Sequence, residues 1–144
     1  IDYVNLDRNE IEIFPRELLN LKSLKWLRLN SNKLSSLPDL SGLKNLRRIY
    51  LKANRFSSVP ETLKDLPQLT DIDLSWNPIK EIPKWLAEKK GLKALSFTGT
   101  LITKLPDDIS AWQSLNQLQL ADLKLSKEEM QRIRKSLPDT AIVY

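Results

Sequence analysis

Leu46-Arg47-Arg48-Ile49-Tyr50-Leu51-Lys52-Ala53-Asn54-Arg55-Phe56-Ser57-Ser58-Val59-Pro60 is followed by Leu69-Thr70-Asp71-Ile72-Asp73-Leu74-Ser75-Trp76-Asn77-Pro78-Ile79-Lys80-Glu81-Ile82-Pro83. The two stretches carry one pattern, L-x-x-L-x-L-x-x-N-x-L-x-x-L-P, with Ile, Phe or Val standing in for some leucines. A fixed period outranks any local signal of secondary structure, because each short unit must bury its apolar side against its neighbours. Outward from this pair, units begin at Ile1, Leu24, Leu46, Leu69, Leu92 and Leu115, in steps of 23, 22, 23, 23 and 23 residues. The short step carries Asp39-Leu40-Ser41-Gly42-Leu43, one residue fewer than its counterparts.

Within each unit, L-x-x-L-x-L alternates with period two and predicts a short strand with leucines inward and the intervening residues outward. Successive strands stack in parallel at about 4.8 Å. Asn at the ninth position turns the chain off the strand, and Asn9, Asn32, Asn54 and Asn77 form a ladder of amides bonding buried backbone. Thr100 and Leu123 occupy the same position later, so the ladder degenerates toward the C-terminal end. The other half of each unit opens at Phe14-Pro15, Leu37-Pro38, Val59-Pro60, Ile82-Pro83 and Leu105-Pro106. Proline suits the first turn of a helix, and the i, i+3 pairs Leu18 with Leu21, Leu63 with Leu66 and Ile109 with Trp112 predict short helical or 3-10 turns on the convex side. Trp112 reads as a core filler and Trp85 as half-exposed.

The tail differs. Ser126-Lys127-Glu128-Glu129 is a capping box, Met130, Ile133 and Leu137 share one helical face, Pro138 ends the helix, and Ala141-Ile142-Val143-Tyr144 reads as a last strand. The expectation is one domain over residues 1–144, with a helical cap at about 126–144. At the other end Ile1, Val4, Leu6 and Ile11 present an apolar face beside an open strand edge, with no N-terminal cap. Such an edge points either to a cap or further repeats before it, or to pairing with another chain, self-association through that edge included.

Composition narrows the chemistry. Cysteine and histidine are both absent and glycine occurs only three times. That removes thiolate and imidazole metal sites, Ser-His-Asp and Cys-His nucleophiles, and a Gly-rich phosphate loop; no metal or other cofactor is expected. The net charge is +5, but 18 acidic residues are mixed among 23 basic ones with no basic block, so neither nucleic acid nor a membrane is implied. No run of apolar residues reaches membrane-spanning length.

The outward positions of each unit are the second, third, fifth, seventh and eighth. The second unit offers Lys25, Trp26, Arg28, Asn30 and Ser31, and the third Arg47, Arg48, Tyr50, Lys52 and Ala53: five cations and no anion. The first offers Asp2, Tyr3, Asn5, Asp7 and Arg8, and the fourth Thr70, Asp71, Asp73, Ser75 and Trp76. Aromatics and arginine are enriched where proteins grip one another, so a basic, aromatic band built from Tyr3, Trp26, Arg28, Arg47, Arg48, Tyr50 and Lys52, with Asp71, Asp73 and Trp76 beside it, is the candidate contact surface. The fifth and sixth units are blander: Lys93, Ala94, Ser96, Thr98 and Gly99, then Asn116, Gln117, Gln119, Ala121 and Asp122.

The repeated pattern resembles leucine-rich repeats of the roughly 23-residue class over nearly the whole chain. The tail from Leu125 to Tyr144 resembles the C-terminal end of bacterial, especially spirochaetal, members. The resemblance implies an α/β solenoid with a parallel concave sheet, a role in recognising proteins, and export or attachment to the bacterial surface, where host proteins are met. Two other readings compete. Polyanion binding, for example to sulfated glycans, would use Arg28, Arg47, Arg48 and Lys52 and show steep salt dependence. Glycan hydrolysis would use Asp71 and Asp73, about 6.5–7 Å apart by strand rise and near the spacing of an inverting pair; an open sheet gives it little, and a non-enzymatic binder is the expectation.

Overall fold

The computed structural model describes residues 1–144. Seven strands, β1 Tyr3–Asn5, β2 Trp26–Arg28, β3 Arg48–Tyr50, β4 Asp71–Asp73, β5 Ala94–Ser96, β6 Gln117–Gln119 and β7 Ala141–Val143, form one parallel sheet in sequence order. The pairing never slips: Leu27, Ile49, Ile72, Leu95, Leu118 and Ile142 lie in one row, and every third-position residue faces the next. A parallel ladder with a constant step follows from a constant repeat length, and the one missing residue of the second unit is absorbed on the convex side.

The core lies between this sheet and the convex turns. The first, fourth and sixth residues of the second through sixth units are all buried, including Leu24, Leu51, Leu74 and, in the fifth unit, Phe97. Phe14, Leu63, Leu86 and Trp112 meet them from the far side within one continuous cluster. Trp112 is fully buried and its indole N–H donates to Leu86 O at 2.8 Å, so the largest apolar side chain brings its polar atom in already bonded.

On the convex side, 3-10 turns run over Arg16–Asn20, Glu61–Asp65 and Ser110–Ser114, and one α-turn, α1, over Lys84–Glu88. Pro15, Pro60 and Pro83 stand one residue before their turns, and each offers its carbonyl to the first N–H three residues on. Two expectations are corrected here. Pro106 does not start its turn; Ile109 does. The unit opening at Leu37-Pro38 has no helical turn, because it is a residue short: Leu40 N–H is instead satisfied by Thr62 Oγ1 of the next unit at 2.7 Å, and Leu40 and Leu43 fill the core from a plain turn.

The C-terminal helix α2 spans Lys127–Ser136. Ser126 Oγ accepts from Glu129 N–H at 3.0 Å, one half of the capping box. The other half is diverted: Glu129 Oε2 accepts from Leu105 N–H at 2.7 Å, and both carboxylate oxygens bind Arg132. Leu137 and Ile133 are buried beneath the helix, and β7 extends the sheet beyond it. At the opposite end Val4, Leu6 and Ile11 are half-buried and Ile1 is exposed.

Candidate functional site

The ladder of asparagines sets the rim of the concave face. Asn54 Oδ1 accepts from Leu34 N–H at 3.0 Å, while its amide donates to Leu29 O, Leu51 O and Lys52 O. Asn32 and Asn77 repeat this arrangement, the former accepting from both Asn9 and Ile11 N–H. Asn9 is exposed, and its side-chain amide donates only to Leu6 O and Asp7 O of its own bend. Thr100 Oγ1 donates to Phe97 O at 2.8 Å, and Ile79 N–H, which an Asn there would have taken, turns to Asn77 O instead. A second, shorter ladder runs at the seventh position: Asp7 Oδ1 accepts from Asn30 N–H, and Asn30 Oδ1 from Lys52 N–H, each at 2.8 Å.

Register places the band. Tyr3, Trp26, Arg48 and Asp71 form one file across β1 to β4, and Asn5, Arg28, Tyr50 and Asp73 the adjacent one. Tyr3 and Trp26 rings lie 4.7 Å apart, Trp26 meets Tyr50 edge-on at 5.7 Å, and Arg48 stacks over Trp26 at 5.0 Å. Arg28 approaches the Tyr50 ring at 6.0 Å and pairs with Asp7 at 2.7 Å. Burial works against the charge on Arg28, but Asp7 outweighs it and holds the guanidinium pKa above its ordinary value. Burial, and then Asp71, push the Tyr50 phenol up. Arg47, Arg48 and Lys52 are exposed, with Arg48 loosely facing Asp71 at 4.0 Å.

Three expectations about exposure change. Trp26 does not stand free in water: it is half-buried between the two tyrosines, and its indole N–H is covered without an acceptor, as is the Nε of Arg28. Ser75 and Ser96 are not offered outward. They are buried, with hydroxyls 2.5 Å apart, because side chains this short do not clear their taller neighbours. Asp71 and Asp73 wall a shallow depression of about 150 Å³ floored by Ala94 and Ser96 and bordered by Tyr50, Gln117 and Gln119. Asp71 accepts from Thr70 Oγ1 and Asp73 from Ser75 N–H. Trp76 is half-exposed in the turn three residues past the same strand. No group of three or more acidic side chains gathers as a metal-ligand set, and no helix is long and apolar enough to cross a membrane.

Known proteins share this architecture. The family described as leucine rich repeat matches residues 40–79. Protein flightless-1 homolog of Caenorhabditis elegans is 27% identical over 115 residues, 76% of this chain and 9% of that protein. Roco10 of Dictyostelium discoideum, a probable inactive serine/threonine-protein kinase, is 30% identical over 130 residues, 86% of this chain and 5% of that protein. The chain thus spans less than a tenth of either curated relative. Among solved structures, the leucine-rich repeat domain of APL1B superimposes with a TM-score of 0.76 at 22% identity, covering 87% of this chain and 39% of that one. A leucine-rich repeat protein of Leptospira interrogans, a spirochaete, does so at 0.54 and 25% identity, covering 99% and 54%. Six units on one unbroken parallel ribbon, an asparagine ladder and these likenesses agree: the chain belongs to the leucine-rich repeat proteins.

Proposed function

We propose that this chain is a protein-binding module, part of an exported or surface-associated bacterial protein, that holds its partner on the basic, aromatic band of the concave face. One observation carries the reading: Tyr3, Trp26 and Tyr50 form a contiguous aromatic cluster with Arg48 stacked over it, on a face whose fold needs only the inward leucines. Rigid aromatics and planar cations give large contact area at little cost in side-chain entropy. Catalysis is not proposed: Asp71 and Asp73 sit on an open face and bond their own strand and its loop. Export to the surface rests on the spirochaetal resemblance of the tail.

The test is capture from host and bacterial extracts by immobilised protein, followed by affinity measurement with the captured species. Trp26→Ala with Arg48→Ala should weaken binding at least about tenfold, as expected for interface anchors, with Gln117→Ala near wild type. Loss with Gln117→Ala and none with Trp26→Ala would place the contacts elsewhere. Binding that collapses between about 0.05 and 0.5 M salt and survives Trp26→Ala would indicate a polyanion held by Arg47, Arg48 and Lys52.

A further inference from the structure

Left-handed backbone recurs at the eighth position of every unit: Arg8, Ser31, Ala53, Trp76, Gly99 and Asp122 have φ between 56° and 69°. Bulky side chains are poor choices for this conformation. Trp76 is nonetheless there, at φ 56° and 49% exposed. Its neighbour one repeat later is Gly99, and a Cβ on Gly99 would stand 2.3, 2.4 and 2.6 Å from Cε3, Cδ2 and Cζ3 of the indole. Near-equal distances to three bonded ring atoms describe an approach to the flat of the ring, not to its edge. The indole therefore lies flat on the Gly99 backbone, and its other face is turned outward.

We propose that Trp76 is a stacking platform for an arginine of the bound protein, with Asp71 and Asp73 providing the counter-charge; this rests on the protein-binding reading above. A ring laid flat on backbone is not free to insert into a partner's pocket, but a planar group can stack on it. Indole is the strongest aromatic partner for a cation, and guanidinium is both cationic and planar. Charge on the face selects the same ligand. Units one to three present six cations and two carboxylates at their outward positions, whereas units four to six present Asp71, Asp73 and Asp122 against Lys93 alone. The chain already uses this chemistry on itself, with Arg48 over Trp26 and near Asp71. Trp76 has no such cation of its own.

The probe is the peptide acetyl-Gly-Arg-Gly-Arg-Gly-amide, with lysine and citrulline analogues, titrated into the full chain at low salt. The readout is the indole N–H resonances, that of Trp76 being assigned by its loss in Trp76→Phe. The arginine peptide should shift the Trp76 signal and leave the buried Trp112 unmoved; lysine should bind more weakly, and citrulline, planar but uncharged, not at all. Trp76→Ala and Asp71→Asn with Asp73→Asn should each weaken binding about threefold or more, with an unchanged amide spectrum showing that the fold persists, and Trp76→Phe should retain most of it. Equal binding of arginine and lysine, or affinity indifferent to Trp76→Ala, overturns the platform. If Trp26→Ala abolishes partner capture while the arginine peptide fails to move Trp76, the platform falls and the protein-binding reading stands. If capture survives both Trp26→Ala and Trp76→Ala, the partner is held elsewhere, and the platform and the aromatic band both fall as its contact surface.

Discussion

Asn54 shows how one side chain holds two units together. It sits inside the bend with four hydrogen bonds, two of them to the preceding unit. Replacing it with alanine leaves the buried Leu34 N–H without an acceptor, while Leu29 O, Leu51 O and Lys52 O keep their bonds from Asn32, Asn77 and Ser31 N–H; it should cost about 1–3 kcal/mol, seen as a lower urea midpoint with an unchanged slope. Asn9→Ala is the internal comparison: that residue is exposed, water replaces its bonds, and the midpoint should move by well under half as much. The ladder positions were readable from spacing alone, because period and chemistry coincide there. Burial of Ser75 and Ser96 was not, because the pattern gives the direction of a side chain and not the height of its neighbours. Gly99 was open to inference: one of three glycines in the chain, it stands 23 residues after Trp76 and therefore beside it.

At the level of elements, the strands and α2 followed from periodicity, while the convex turns followed only in part. A strand is fixed by three inward residues and a register; a single 3-10 turn depends on one residue of length, which is why the short second unit lost its own. The cap shows tertiary contacts overriding a local motif. Glu129, which the capping box would turn back onto Ser126, ties α2 to the fifth unit through Leu105, and Arg132 adds bonds to the carbonyls of Leu105, Pro106 and Asp107. Arg132, and to a lesser degree the Leu105 N–H, hold the Glu129 carboxyl below its usual range against the opposing effect of burial. A carboxylate with a depressed native pKa contributes stability above its unfolded value, about pH 4.3, and loses it as pH falls through the native one. Thermal unfolding followed from pH 6 down to pH 2.5 should therefore show a fall in midpoint below about pH 4.3 that is smaller in Glu129→Gln, which at pH 6 should already be less stable than wild type. Parallel curves for the two would disprove this role.

Across the whole molecule, one step of about 23 residues governs packing, charge and strain alike. The constant register lays the outward residues in straight files, so the division of the concave face into a cationic, aromatic half and an anionic, amide-bearing half is already written in the order of the units. The order of the units sets Trp26 and Tyr50 on adjacent strands, within reach of each other and of Arg28 and Arg48; what it did not reveal is that Tyr3 packs against the other side of Trp26 and half-buries it. The left-handed residue in every unit extends the same regularity to tolerance of change. Ala53→Val should destabilise by about 1–2 kcal/mol, whereas Ala53→Gly should be near neutral or stabilising, as measured by urea unfolding; equal midpoints for the two would mean that the backbone there is free to relax. A saturation scan of the chain would then carry a beat: once per coil, at residues 8, 31, 53, 76 and 122, branching at Cβ is penalised, and at 99, beneath the Trp76 ring, so is any Cβ at all, so that the period is audible in the mutants even where the leucines are left untouched.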